Sequence, residues 1–370
     1  MTLSEAAGIT VRGCCHVYCA LDIGFSVDLR QCAGLIQETD LGGGAQRHTH
    51  GPAYLNLQPA PIRIHRTIEP IRGSTFLSGP QVTITVYDFG AVSVEYRVPF
   101  EGTFERVAAL SSELYDHRQF AADARARAEW LLTAIRSAVR KAHVREDVED
   151  YLVFAVASLG EGPRDLQDIL RDNGPAVAQV LSSNAKALSR QQCQEELSRQ
   201  IAYYHDDLTI ITWNAAFVCG AHMEDVRAVL ELANVQLREL HYLDDRLDDC
   251  LQESYDIRAP AKNVRTAMQR IREWMLDGQA FSEAVTNAFK PFPDAFLARV
   301  YALAARAMGL HHFDQSIRDK LNLLNVFYTT LADQADHQLS ARLEWTIVIL
   351  ILIEIAMGFS EKLLPLFHRG

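Results

Sequence analysis

The stretch Leu343-Glu-Trp-Thr-Ile-Val-Ile-Leu-Ile-Leu-Ile-Glu-Ile-Ala-Met-Gly-Phe359 constrains this chain more than any other. It carries no charge from Trp345 to Ile353 and then admits a single carboxylate, Glu354, before Ile355, Ala356 and Met357. Apolar surface leaves water with a gain of about 25 cal/mol per Å², so lipid or protein is expected to meet this face. Thr346 to Met357 is twelve residues, about 18 Å of helix. A bilayer core of about 30 Å asks for about twenty apolar residues. Spanning would draw Gly358 to Phe367 into the membrane and bury Glu354, which is costly unless the carboxylate is protonated, paired or turned to a protein interior. Both routes predict a helix that packs on copies of itself or a partner through its Glu354 side, with Trp345, Ile349, Leu352, Glu354 and Ile355 as the contact residues.

This stretch ends a longer pattern. Ile317, Leu321, Leu324, Tyr328, Leu331 and Ala335 alternate at spacings of four and three, and from Phe313 neither Gly nor Pro interrupts before Gly358. The pattern predicts one helix of roughly forty-five residues, about 65 Å long. Upstream, Val226, Leu230, Ala233, Leu237, Leu240, Leu247 and Leu251 mark a coiled-coil seam over Met223 to Tyr255, with Asp244 as its one polar intruder. Val264, Met268, Ile271 and Trp274 predict a further amphipathic helix. Phe296, Val300, Leu303 and Ala307 predict another, stopped by Gly309.

The first two-thirds of the chain have a different rhythm. Val17 to Gly24 reads as a strand, followed by Asp28 capping a helix that starts near Leu29. Gly42 to Gly44 and five prolines between Pro52 and Pro80 predict a long loop with edge strands at Tyr54 to Leu57 and Ile62 to His65. Val82 to Val98 alternates on both sides of Asp88 to Gly90, as a hairpin does, and helices are expected at Phe104 to Tyr115 and Phe120 to His143. Asp150 to Gly160, with Asp165 as a cap, and the hairpin of Leu208 to Val218 repeat the same order before the helix from Met223. The expectation is an α+β fold: duplicated strand-helix-hairpin-helix units form a sheet packed by long helices, followed by a helical C-terminal region with a long apolar terminal helix. The parts expected are residues 1–149, 150–258 and 259–370.

A formal charge of −11 argues against broad contact with nucleic acid, which needs a basic stripe. Seven cysteines, odd in number and without a C-x-x-C pair, read as reduced thiols of a cytosolic protein, and Met1 to Glu5 shows no secretory signal. The segment Asp244-Asp245-Arg-Leu-Asp248-Asp249 has the D-D-x-x-D spacing with which prenyl-transferring enzymes hold magnesium. No second acidic motif stands opposite it, so a solvated acidic patch is the favoured reading and a magnesium-dependent enzyme the alternative. His48, His50 and His65 beside the glycine triplet read as loop rather than as a metal or phosphate site. His311 and His312 read as a helix start, and His205-Asp206-Asp207 as a turn. No G-x-S-x-G or H-E-x-x-H is present. No catalytic residue, cofactor or enzymatic activity is therefore expected.

Leu343-Glu344-Trp345, the apolar run and Ile353-Glu354-Ile355 resemble the end of the domain family of unknown function 155 (RMD or YagE-like), in its bacterial branch. The strand Leu208 to Val218, the segment Leu230 to Leu240 and Tyr242 support the likeness, which covers about Asp150 to Phe359. The resemblance implies no catalytic residues. Its eukaryotic members include membrane-associated proteins, one of them a self-assembling mitochondrial inner-membrane protein that supports translation of membrane proteins. The expected function is thus a non-enzymatic, self-associating scaffold or tether, cytoplasmic and attached to the inner membrane through its last helix. Its partners would be itself and membrane lipids. The alternative is a soluble homo-oligomer that buries this helix.

Overall fold

The computed structural model describes residues 9–38, 46–47, 59–160, 166–256, 266, 268–276, 278–279 and 294–367. Residues 1–243 and 281–315 form one compact unit, and 244–280 with 316–370 a second.

The first unit is built on a nine-stranded sheet, ordered β3-β4-β5-β6-β1-β8-β11-β10-β9. These are β1 (Val11–Asp22), β3 (Gln46–Arg47), β4 (Ile62–Thr67), β5 (Gln81–Val86), β6 (Ala91–Gly102), β8 (Glu149–Leu159), β9 (Gln200–Ile201), β10 (Leu208–Ile211) and β11 (Ala215–Cys219). All neighbours run antiparallel except β8 and β11, which are parallel with Leu152 opposite Ala215. The protein is therefore α+β, with one large mixed sheet. The two hairpins do not dock alike: β6 lies antiparallel to the leading strand β1, whereas β11 lies parallel to β8. Similar local patterns have thus produced different pairings in the two halves.

Several local features follow directly from sequence. Helix α1 (Leu29–Glu38) starts where Asp28 Oδ1 accepts from the Arg30 and Gln31 amides at 2.9 and 3.1 Å. The β5–β6 hairpin turns at Gly90, whose φ of 97° suits glycine; a Cβ there would meet the Gly24 carbonyl at 1.7 Å. Helix α2 spans Phe104–Tyr115, as expected. Helix α3 (Gln119–Ile135) stops eight residues short of His143, because Arg136–Ala138 tightens into a 3-10 turn and Val139–Arg140 forms a strand, β7, paired with β2 (Ser26–Val27). Val139 is buried either way, so its periodicity could not distinguish the two conformations. The strand predicted at residues 54–57, the Asp165 cap and the Gly42–Gly44, His48 and His50 cluster lie outside the described residues.

Side chains alternate across a strand, and this separates two layers. One face carries Val17, Cys19 and Leu21 of β1, Val94 and Tyr96 of β6 and Ile84 of β5, all within the main apolar core together with residues of α1–α3 and α4 (Leu166–Ser182). Tyr96 donates to Asp123 of α3 at 2.6 Å, which fixes α3 on that side. The opposite face presents His16, Tyr18, Asp22, Ser93 and Glu95, and over it lies α6 (Met223–Asp256). The helix Ala295–Ala307 is capped by Asp294, whose Oδ1 accepts from the Leu297 amide at 2.8 Å, and Tyr301 bonds to Gln236 of α6. All seven cysteines are free; Cys15 and Cys19 are buried in β1.

The second unit contains residues 244–256 of α6, helical residues 268–276 and the greater part of the C-terminal helix, Leu310–Phe367. Leu247, Cys250, Leu251, Ile271, Ile317 and Leu324 are buried in it. The C-terminal helix has 58 residues and starts three residues before the expected Phe313.

Candidate functional site

Leucine, isoleucine and valine propagate a helix readily once it is nucleated, and the C-terminal helix runs through the apolar stretch without a break. Its surface there is uncovered. Trp345 is 69% exposed, Ile349 51%, Leu352 60% and Ile355 52%, and Ile347, Val348, Leu350, Ile351 and Ile353 are exposed to a similar degree. Seven consecutive residues, Ile347 to Ile353, make almost two helical turns, so the apolar surface faces every direction around the axis. Exposed apolar patches of this kind mark interaction surfaces. Glu354 stands among these residues and is exposed too. No described helix is long and apolar enough to cross a membrane.

The acidic cluster is engaged differently. Asp244 and Asp248 lie one turn apart on α6, and Lys320 of the C-terminal helix reaches both, with Nζ at 2.8 Å from Asp244 Oδ1 and 2.7 Å from Asp248 Oδ2. The Ser316 hydroxyl donates to the same Asp244 oxygen at 2.7 Å. Burial opposes charge on Lys320, but the hydrogen bonds it donates to the two carboxylates outweigh this and raise its pKa. Asp244 is the polar intruder in the seam, and its partners are supplied from the neighbouring helix. Asp245 and Asp249 take no part in this bridge. Among the described residues no group of three or more His, Cys, Asp or Glu side chains is arranged to hold a metal ion. His311 and His312 sit in the first turn of the C-terminal helix, and His205 to Asp207 form a turn.

A third feature escaped the sequence reading. Beside its apolar seam, α6 carries a polar series, Arg227, Glu231, Asn234, Arg238 and His241, again at spacings of four and three, and all but His241 are buried. This stripe meets the polar face of the sheet. Arg227 contacts Glu95 Oε1 at 3.3 Å, donates to the Tyr18 hydroxyl at 3.3 Å and reaches Glu224 at 2.7 Å. Glu231 pairs with Arg63 at 3.4 Å, the Asn234 amide donates to the Glu149 carbonyl at 3.1 Å, and His241 meets the Glu149 carboxylate at 2.8 Å. Burial works against ionisation of Glu95. The His16 hydrogen bond, with the charges of His16, Arg227 and Arg97, overcomes it and brings the pKa to about 2.

At the far end of the stripe the balance reverses. Glu239 is 0% exposed, and neither of its carboxyl oxygens has a hydrogen-bond partner among the described residues. Burial, reinforced by the Asp22 carboxylate and opposed by Arg238, raises its pKa well above the ordinary value. Asp22, also fully buried, accepts from the Gly24 amide at 2.8 Å and contacts His143 Nε2 at 3.1 Å through one oxygen. That bond is the main reason the His143 pKa is raised.

A family model described as "Uncharacterized protein MJ0711, N-terminal domain" matches residues 12–225, from the second residue of β1 to the third of α6. The chain belongs to this family. The MJ0711 N-terminal domain thus takes in the sheet, α1–α4 and α5 (Arg190–Ser198), while Arg227 to His241, the acidic cluster and the apolar helix follow it in the chain. The family that matches is an uncharacterised domain family, and it does not carry the family 155 name expected from the C-terminal motifs. No curated protein and no solved structure matches the chain.

Proposed function

We propose that this protein is a non-enzymatic, self-associating scaffold that assembles through the apolar part of its C-terminal helix. The observation that carries this reading is the continuous exposed surface from Leu343 to Ile355. One neighbouring helix covers a single stripe of another, whereas this surface faces every direction, so several helices are needed to remove it from water. Copies of the same chain supply identical helices with matching registers. In such a bundle Glu354 turns inward, where protonation or a shared hydrogen bond offsets the cost of its burial.

A tethered form of the same assembly places the bundle end at the inner face of a membrane. Trp345, an amphipathic ring at the junction of charged and apolar sequence, supports that form. So does the similarity of Leu343-Glu344-Trp345 and Ile353-Glu354-Ile355 to family 155, with its membrane-associated members that act in processes such as translation. The soluble homo-oligomer differs only in leaving lipid out.

Sedimentation of the full chain and of a chain ending at Ser340, in detergent-free buffer and with lipid vesicles, tests the reading. The full chain is expected as a discrete oligomer or bound to vesicles, and the shortened chain as a free monomer. A full-length monomer that ignores vesicles sinks the proposal.

A further inference from the structure

A chain with a formal charge of −11 keeps one basic segment in its first unit. Within residues 136–145, Arg136, Arg140, Lys141 and Arg145 carry fixed positive charge, His143 is a further base, and no residue is acidic. The segment is seated on its neighbours. The Phe25 amide donates to the Arg140 carbonyl at 2.9 Å and the His143 amide to the Ile23 carbonyl at 3.1 Å, so residues 140–143 run along 23–25. Gly24 permits this approach, since a Cβ there would meet the Arg140 carbonyl oxygen at 2.9 Å. Between the two bonds Lys141 takes a φ of 51°, a conformation uncommon for a residue with a side chain. Such strain persists only where the surroundings hold it, and it gathers at binding sites. Here His143 holds it, with Nδ1 at 2.8 Å from the Lys141 carbonyl and Nε2 at 3.1 Å from Asp22.

Aromatic rings lay out the charges. The Arg140 guanidinium stands 4.6 Å and the Lys141 ammonium 5.4 Å from the centre of the Phe25 ring. Arg145 stands 5.2 Å from the centre of the Tyr242 ring, and the His143 ring lies 5.5 Å from the same ring. Arg238, one turn before Tyr242 on the same side of α6, is 3% exposed, and its Nε and Nη2 have no hydrogen-bond partner among the described residues. Those two N–H groups form an edge with which arginine takes an oxyanion in bidentate fashion. The carboxylates around the segment are already engaged: Asp22 by Gly24 and His143, Asp28 by the start of α1, Glu146 by Arg125 at 3.5 Å and Glu149 by His241. Burial and the Asp22 charge hold Glu239 toward its neutral form. Arg140 and Arg145 form no ion pair among the described residues. At physiological salt charge is felt over about 8 Å, so the acidic groups elsewhere in the chain do not cancel this cluster.

We infer that this corner of the first unit binds a phosphate group, with Arg140, Lys141 and Arg145 as its outer cations and Arg238 as the buried one. Several fixed cations call for an anion of more than one charge, and phosphate brings close to two charges and three acceptor oxygens. The site is independent of self-association through the C-terminal helix.

Calorimetric titration of the full chain with inorganic pyrophosphate, and with acetate as a singly charged oxyanion, tests the inference at about 0.15 M salt. Pyrophosphate is expected to bind saturably and acetate about tenfold more weakly or worse, because the extra charge makes further charge-assisted bonds. Arg140→Gln and Arg145→Gln are each expected to weaken pyrophosphate about tenfold. Arg238→Lys keeps the buried charge, loses the paired edge and is expected to act likewise, whereas Arg299→Gln on the helix Ala295–Ala307 leaves binding unchanged. Vesicles separate the two sources of the group. Capture through the apolar helix is common to phosphatidylcholine and phosphatidylglycerol, so excess capture by phosphatidylglycerol that Arg140→Gln abolishes assigns the site to a lipid headgroup. Pyrophosphate binding without that excess assigns it to a soluble compound. Equal affinity for acetate, no pyrophosphate binding together with equal capture by both vesicles, or an affinity unchanged in the folded variants overturns the inference.

Discussion

His16 Nδ1 and Glu95 Oε1 stand 2.7 Å apart on adjacent strands, both buried beneath α6. This contact anchors a charged layer where most sheets would bury hydrocarbon. Because Arg227 shares the same oxygen, Glu95→Gln leaves a guanidinium buried with a weaker acceptor. A loss of about 3 kcal/mol in unfolding free energy is expected, in the range for breaking a buried ion pair. Urea unfolding at pH 7 measures it.

The same pair sets an acid limb. Glu95 has its folded pKa depressed to about 2, so its contribution is present above the unfolded value of 4.5 and is lost as pH falls toward 2. His16 is held neutral by burial, its folded pKa lowered, so protonation below about 6.5 favours the unfolded chain. Thermal midpoints measured from pH 7 to 3 are expected to fall in two steps. Glu95→Gln removes the lower one.

Glu239 has the opposite sign. Its folded pKa is raised, so the charge it must adopt as pH rises destabilises the native state progressively above 4.5. Glu239→Gln keeps the shape and discards the charge. The variant is expected to gain stability over the parent as pH goes from 5 to 8, with a difference of about 1–2 kcal/mol at pH 8. Denaturation curves at both pH values decide; equal curves at both mean the group is not protonated in the fold.

Lys320 keeps Asp244 and Asp248 from facing each other unneutralised. Lys320→Met is expected to cost about 1 kcal/mol, since Asp248 is well exposed and the bridge is partly screened. It also frees two carboxylates one turn apart. Magnesium is then expected to raise the midpoint of Lys320→Met while leaving the parent unchanged, which differential scanning in the presence and absence of the ion reads directly.

Surface charge tests the assembly without truncation. Ile349→Lys with Leu352→Lys places two ammonium groups in the exposed apolar run, and the double variant is expected to sediment as a monomer. An unchanged mass would move the interface elsewhere.

What was legible in the sequence was local. The Asp28 cap, the turn at Gly90, the helix Phe104–Tyr115 and the long helix from Met223 each depend on residues within a few positions of one another, and each stands where its pattern puts it. The end of α3 was not legible, since pairing of Val139 with Val27 is a tertiary choice. Nor was the charged layer. Arg227 and Glu95 are 132 positions apart, and Glu231 and Arg63 are 168. A polar series at helical spacing looks identical whether water or a sheet covers it. The spacing of Arg227, Glu231, Asn234 and Arg238 was nonetheless the available signal, because it runs beside the apolar seam rather than opposite it.

The parallel pairing of β8 with β11 has a kinetic side. Among the described strands every other neighbouring pair is an antiparallel ladder, and β5 and β6 are joined by a tight turn at residues 87–90. Leu152 meets Ala215 only after α4, α5 (Arg190–Ser198) and the β9–β10 ribbon have been threaded between them, so this contact closes a large loop whose entropy must be lost before the ladder returns anything. The two halves of the sheet become one at β1 and β8, where Ala20 meets Glu149 across a still longer separation, and these two closures together are expected to set the folding rate. Chains cut and rejoined between α4 and α5, which shift the order of closure, should change how fast the protein folds more than how stable it finally is.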